Sequence, residues 1–115
     1  TSYVKCATGV VYSLPLSCGS SYVGETGRCV NDRLREHAKN VDNNDKNSNL
    51  VRHISSCIST CRARFEMTKI LGRSTNVKAR LVLEAFHVKK LSDRCVSDAS
   101  LQIYDAEVSY LDSFL

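Results

Sequence analysis

The chain has 115 residues, 43% of them apolar and 24% charged, with a formal net charge of +4. That apolar share excludes wholesale disorder, and no apolar run approaches the ~20 residues of a membrane span. The length fits one domain, and a start at Thr1 without a signal-peptide pattern marks the chain, by expectation, as excised from a longer polypeptide.

Gly9-Val10-Val11-Tyr12-Ser13-Leu14 is β-branched and apolar and stops at Pro15, which predicts a strand. Ser20 to Gly24 predicts a second strand. Turn residues between them make a hairpin with its tip near Ser17, Cys18 and Gly19. Thr26-Gly27 is expected to open a helix whose buried stripe is Val30, Leu34, Ala38 and Val41. Residues 40–49 hold five Asn and two Asp and predict a solvated, mobile loop. Ser48 or Asn49 then caps a short helix through Leu50, Val51, His53 and Ile54. Arg64 to Leu71 predicts a third strand, with Phe65 and Met67 on one face and Gly72 ending it. Asn76 caps a helix from Val77 to about Leu91. Residues 92–100 are loop, and Ile103 to Leu115, carrying Tyr110, Leu111 and Phe114, closes the chain as an amphipathic helix. The order β-β-α-α-β-α-α predicts an α+β fold, a small domain with a three-stranded, mostly antiparallel sheet flanked by helices. It is read as one domain over 1–115, with its core at about 9–91.

Three local patterns carry chemistry. Tyr12 and Tyr22 lie ten residues apart; a turn near residue 17 sets them opposite each other on one face. A cross-strand aromatic pair that packs the sheet is the alternative. Arg33 and His37, four apart, share a helix face that borders the buried stripe, with a solvated polar face as the alternative. Val77, Leu81, Glu84, Val88 and Leu91 recur at core spacing and set a carboxylate in the middle of the stripe. A buried carboxylate costs several kcal/mol unless it is paired, protonated or metal-bound. An ion pair of Glu84 with Arg33 or Arg80 is the alternative. Together these groups fit phosphodiester hydrolysis. One carboxylate holds a divalent ion that polarises the phosphate. An arginine neutralises developing charge, and a tyrosine or histidine orients or deprotonates water.

These residues resemble the motifs of the GIY-YIG nuclease family. Val10-Val11-Tyr12 stands for Gly-Ile-Tyr, and Tyr22-Val23-Gly24 for Tyr-Ile-Gly. Arg33-Leu34-Arg35-Glu36-His37 is similar to the family's Arg-x-x-x-His helix, and Leu83-Glu84-Ala85 to its metal-binding glutamate helix. The string Tyr22-Val23-Gly24-Glu25-Thr26-Gly27-Arg28 is most similar to the endonuclease domain of Penelope-like retroelements. The resemblance implies a DNA endonuclease that nicks target DNA to prime insertion, dependent on one Mg²⁺ or Mn²⁺ held by Glu84. It implies that Tyr12 and Tyr22 are paired active-site tyrosines, that Arg33 holds the scissile phosphate and that His37 assists as base or phosphate ligand. Arg28 and Arg35 would be further substrate contacts. The implied setting is the nucleus, with DNA and the reverse transcriptase region of the same polypeptide as partners and no membrane. Val10 replaces the first glycine, with Gly9 adjacent. The family's later asparagine is replaced by the stretch Asp98-Ala99-Ser100. A zinc-stabilised nucleic-acid-binding module without catalysis is the second reading, and a secreted, disulfide-stapled binding domain the third.

The six cysteines are Cys6, Cys18, Cys29, Cys57, Cys61 and Cys95. Their share lies below that of disulfide scaffolds, and there is no N-x-S/T sequon, which leans towards a reducing compartment. Penelope-like domains often carry a Cys/His zinc site at the hairpin tip. By that resemblance Cys18, His53, Cys57 and Cys61 form the expected Zn²⁺ set. Cys6 is the competing ligand, but an extended strand of ~3.3 Å per residue would leave it about 20 Å from Tyr12 at the other end of the hairpin. Cys29 and Cys95 read as core or spare thiols. The basic residues are dispersed, which predicts weak, salt-sensitive binding to DNA.

Overall fold

A computed structural model describes residues 2–102 and 104–114, so Ile103 and Leu115 of the expected last helix lie outside the described residues. The fold is α+β: a three-stranded antiparallel sheet of order β2-β1-β3 with four helices. β1 spans Val10–Pro15 and β2 Ser21–Thr26. Val10, Val11, Tyr12 and Leu14 are all fully buried, because the central strand is covered on both faces.

The hairpin turns one residue later than expected. Leu16 N donates to Ser20 O, which centres the turn on Cys18. Tyr12 therefore faces Gly24, and Tyr22 faces Leu14. The tyrosines share a sheet face but sit diagonally rather than opposite.

β3 covers Lys69–Arg73 and pairs with the other edge of β1, with a bulge between Val11 and Tyr12. The expected strand Arg64 to Leu71 is corrected in two ways. Phe65–Met67 is a single 3₁₀ turn, closed by Met67 N donating to Arg64 O, and the strand runs through Gly72. Pro15, with no N–H to donate, stands where the ladder would continue towards the tip. The Phe65 ring packs on Tyr3, with centroids 5.1 Å apart, and Met67 is exposed.

α1 spans Val30–Asp42. Thr26 ends β2 instead of opening this helix, and its hydroxyl accepts the Arg28 N–H at 3.1 Å to shape the turn between them. The buried face is Val30, Asn31, Leu34 and His37, while Ala38 and Val41 are half-buried. Asn31 is inside because its amide clasps the N-terminal segment, accepting from Tyr3 N and Val4 N and donating to Val4 O. α2 spans Asn49–Ser56 and is capped by Ser48, whose side chain accepts the Val51 N–H at 3.3 Å.

α3 spans Val77–Leu91 behind its Asn76 cap. Its buried residues are Arg80, Glu84, Ala85 and Phe86, while Val77 is 55% exposed, so the expected stripe is rotated about the helix. α4 spans Asp105–Asp112 and leans on Ala85 and Phe86 through Val108 and Leu111. Tyr110 and Phe114, expected on its apolar face, are exposed. No described helix is long and apolar enough to cross a membrane.

Candidate active site and metal cluster

Strand, helix and loop converge above the tyrosine face of the sheet. A cavity of about 250 Å³ is lined there by Tyr12, Tyr22, Gly24, Arg33, Glu84 and Asp98, with Glu25 and Ser100 at its sides. Four of the five expected catalytic residues thus share one cavity. The fifth, His37, stands behind it, with its Nε2 2.8 Å from the Tyr12 hydroxyl. The His37 ring also meets the Tyr22 ring edge-on, with centroids 4.7 Å apart.

Gly24 makes this geometry possible. A Cβ at that position would lie 2.5 Å from the Tyr12 hydroxyl oxygen and 2.7 Å from Cζ. The tyrosine of β1 therefore lies across the backbone of its cross-strand partner, and only a residue without a side chain fits there. Gly9, next to the replaced first glycine, has φ +61°, and a Cβ on it would meet Ser74 O at 2.8 Å.

Burial governs the protonation of the pair. It raises the Tyr12 phenol far above its ordinary value, and the neighbouring Tyr22 adds to the effect. Burial and then Arg33 lower His37 to about 3. Both groups are accordingly neutral at physiological pH. His37 Nδ1 is buried without a hydrogen-bond partner.

Glu84 is 6% exposed and makes no ion pair among the described residues. Its Oε1 accepts the Ser100 backbone N–H at 3.1 Å. The alternative of a Glu84–Arg80 or Glu84–Arg33 pair is corrected: Arg80 Nε lies 3.1 Å from Glu25 Oε1, and Arg33 lies 3.1 Å from Glu36. Burial raises the Glu84 carboxyl above its ordinary range, and the Ser100 N–H works against that rise.

Arg33 occupies the cavity wall, and Glu36 bridges it to Arg28, whose guanidinium lies 2.7 Å away from that carboxylate. Arg28 thus stands one ion pair behind the cavity. Arg35 pairs with Asp32 on the exposed face of α1 and is not part of the cavity wall.

The second site lies at the hairpin tip. The ligand atoms of Cys18, His53, Cys57 and Cys61 all fall within 4.8 Å of one another. Cys18 Sγ is 3.3 Å from His53 Nε2 and 3.5 Å from Cys61 Sγ. A tetrahedral zinc with ~2.3 Å bonds to sulfur needs sulfurs about 3.8 Å apart, close to this spacing. Three thiols and one imidazole form a donor set that can bind a metal such as zinc. The backbone N–H of Ser20 helps hold the Cys18 thiol down to about 6, while burial pushes Cys61 up to about 11. The turn supplies Cys18, α2 supplies His53, and the segment leading to β3 supplies Cys57 and Cys61.

Cys6 is not part of this cluster. It is disulfide-bonded to Cys29, with Cα atoms 5.5 Å apart, which corrects the reading of Cys29 as a spare thiol. The reason is topological: Val30 N donates to Ala7 O, which lays the N-terminal segment beside the start of α1. Cys95 is a free thiol, as expected, beside Ser97.

Sequence reasoning missed the segment after α3. Ser97 is buried, donates to Val23 O at 2.7 Å and accepts from Val23 N at 3.0 Å, pinning this segment to the edge of β2. That contact brings Asp98 and Ser100 to Glu84. The signal available was their position where a further polar family residue is expected. Comparison with protein-family models, with curated proteins and with solved structures finds no match to this chain.

Proposed function

We propose that this chain is a metal-dependent DNA endonuclease of the GIY-YIG type that nicks one strand. The observation that carries the reading is the shared cavity of Tyr12, Tyr22, Arg33 and Glu84, with His37 bonded to Tyr12 behind it. Residues of β1, β2, α1 and α3 meet there in a combination that suits phosphodiester hydrolysis.

In this mechanism Arg33 takes the scissile phosphate and offsets the charge that grows on its oxygens. Tyr12, held neutral by burial and oriented by His37, aligns the attacking water by hydrogen bonding. Tyr22 closes the other side of the cavity. Glu84, with Asp98 beside it, would hold a single Mg²⁺ or Mn²⁺, which polarises the phosphate and stabilises the leaving oxygen. Water adds to phosphorus, the bond to the leaving O3′ breaks, and the proton that water loses ends on that oxygen, which frees a 3′-hydroxyl to prime synthesis and leaves a 5′-phosphate. The Cys/His cluster would brace the hairpin tip with zinc, away from the chemistry. The resemblance implies the nucleus, a setting against which the Cys6–Cys29 disulfide counts. There a reverse transcriptase region on the same polypeptide would supply effective concentration on DNA that a domain of net charge +4 lacks.

The test is conversion of supercoiled plasmid to open circle with Mg²⁺ or Mn²⁺, for the wild type and Glu84→Ala. Metal-dependent nicking that Glu84→Ala loses by a factor of 100 or more on the order of known electrostatic deletions is expected. A folded, zinc-loaded wild type that leaves the plasmid supercoiled with either ion overturns the proposal. That outcome favours the binding module, which the separate Cys/His cluster would stabilise equally well.

A further inference from the structure

A second polar cavity adjoins the first. It encloses about 220 Å³ and is lined by Tyr22, Arg33, His37, Asn40, Asp45 and Asn47 among others. Tyr22 and Arg33 line both cavities, so the two are neighbours across the group assigned to the scissile phosphate. His37, 1% exposed, is part of this wall, and its buried Nδ1 has no hydrogen-bond partner among the described residues.

The asparagine-rich segment that forms the rest of the wall is braced. Asn43 N, Asn44 N and Asp45 N donate to Lys39 O, Val41 O and Asn40 O, and Ser48 N donates to Asp45 O. Asp45 Oδ1 accepts from Asn47 N, and the Arg52 guanidinium donates to Lys46 O. A segment expected to be a mobile loop is therefore tied to the end of α1 and the start of α2. Within it the side-chain amides of Asn40 and Asn47 make no hydrogen bond among the described residues. Two amides without a protein partner, that of Asn40 half-buried and that of Asn47 exposed, thus stand on a braced frame and are open to a ligand.

We propose that this cavity is a nucleobase subsite: it receives the base next to the scissile phosphate, and the Asn40 and Asn47 amides read that base's edge. The inference rests on the nuclease reading, which sets a phosphate at Arg33. A second phosphate fits poorly, because apart from Arg33 the ionisable groups here are the acidic Asp45, the phenol of Tyr22 and the neutral His37. An amide offers one donor edge and one acceptor edge, the complement of adenine N7 and the adenine amino group, whereas guanine presents two acceptors. Tyr22, half-buried between the cavities, supplies an aromatic surface for the base. In a duplex the base must leave its stack at a cost of a few kcal/mol, least where it is unpaired or mismatched.

The experiment reads base contact without cleavage. The ¹⁵N-labelled chain, zinc-loaded and free of Mg²⁺ and Mn²⁺, is titrated with a dA pentamer, a dT pentamer and an abasic pentamer. The side-chain amide signals of Asn40 and Asn47 are expected to move with dA, less with dT and not with the abasic chain. The dA affinity should exceed the abasic one by about tenfold. Asn40→Ala with Asn47→Ala should bring the dA affinity down to the abasic level. Amide signals that stay fixed, or that move equally with the abasic chain, overturn the subsite, the latter assigning the cavity to phosphate. A chain that shows these shifts and never nicks loses the nuclease reading and keeps the subsite. One that nicks without the shifts does the reverse.

Discussion

Gly24→Ala is the sharpest probe of how the site is built. The added Cβ would stand 2.5 Å from the Tyr12 hydroxyl oxygen and 2.7 Å from Cζ. Carbon contacts are ordinary at ~3.5–4.0 Å, so the ring must retreat by about 1 Å. Tyr12 is fully buried, and overpacking of this kind costs about 1–3 kcal/mol. Where the ring retreats away from His37, the 2.8 Å bond to it is stretched past hydrogen-bonding range as well. Leaving both buried groups unpaired adds about 1–3 kcal/mol. Tyr12→Phe removes the closest atom and the hydrogen bond together. In that background Gly24→Ala should cost only the overpacking part. The two substitutions are therefore expected to be less than additive by about 1–3 kcal/mol. Urea unfolding of the four proteins, with unchanged slopes, measures it. A Gly24→Ala penalty under about 0.5 kcal/mol, or additivity within that margin, refutes the close packing of Tyr12 over Gly24.

His37 predicts a pH dependence of stability. Its folded value is about 3 against an ordinary 6.5, so between these the unfolded chain binds a proton that the folded chain refuses. Stability should fall as pH drops below about 6.5, by about 1.4 kcal/mol per unit from this group. Glu84, held above its ordinary value, acts in the opposite sense just above 4.5. The comparison is therefore wild type against His37→Gln from pH 6 to 5, where the wild type should lose stability more steeply; equal slopes sink the argument. The Cys/His cluster should take one Co²⁺ per chain with intense thiolate charge-transfer absorption, weakened by Cys61→Ser. Chelation should lower the melting temperature of the wild type and leave Cys57→Ser with Cys61→Ser unmoved; a wild type indifferent to chelation removes the structural role of metal here. Thiol titration of the denatured, unreduced and metal-free chain should count four, from Cys18, Cys57, Cys61 and Cys95. Replacing Cys6 and Cys29 by Ala should cost up to about 3 kcal/mol for a loop of separation 23. A count of six would mean that this pair stays reduced.

The element order and most helix limits were legible in the chain. Asn76 and Ser48 mark two helix starts, because a short polar side chain there satisfies an otherwise orphaned N–H. The third strand was misplaced because Phe65 and Met67 alternate as a strand would, while Met67 N and Thr68 N turn back to Arg64 O and Phe65 O instead of pairing with β1. Strand register was off by one residue, since several loop conformations suit the turn residues 15–19 and tertiary packing selects among them.

By itself the sequence determined the α+β class, the five residues to watch at the polar cavity and the four to watch at the Cys/His cluster. The class and the Tyr12/Tyr22, Arg33/His37 and Glu84 patterns follow from residue type and short-range spacing, which local chemistry controls, whereas the Cys/His set is what the resemblance implied. Tertiary structure alone decided that Glu84 stands without an ion pair because Arg80 goes to Glu25, and that Cys6 meets Cys29. It alone placed Asp98 and Ser100 beside Glu84 and framed a second cavity with Asn40 and Asn47. Those pairings join segments tens of residues apart. No periodicity encodes them, because which side chain reaches which partner is settled only when β2, α1 and α3 pack on one sheet.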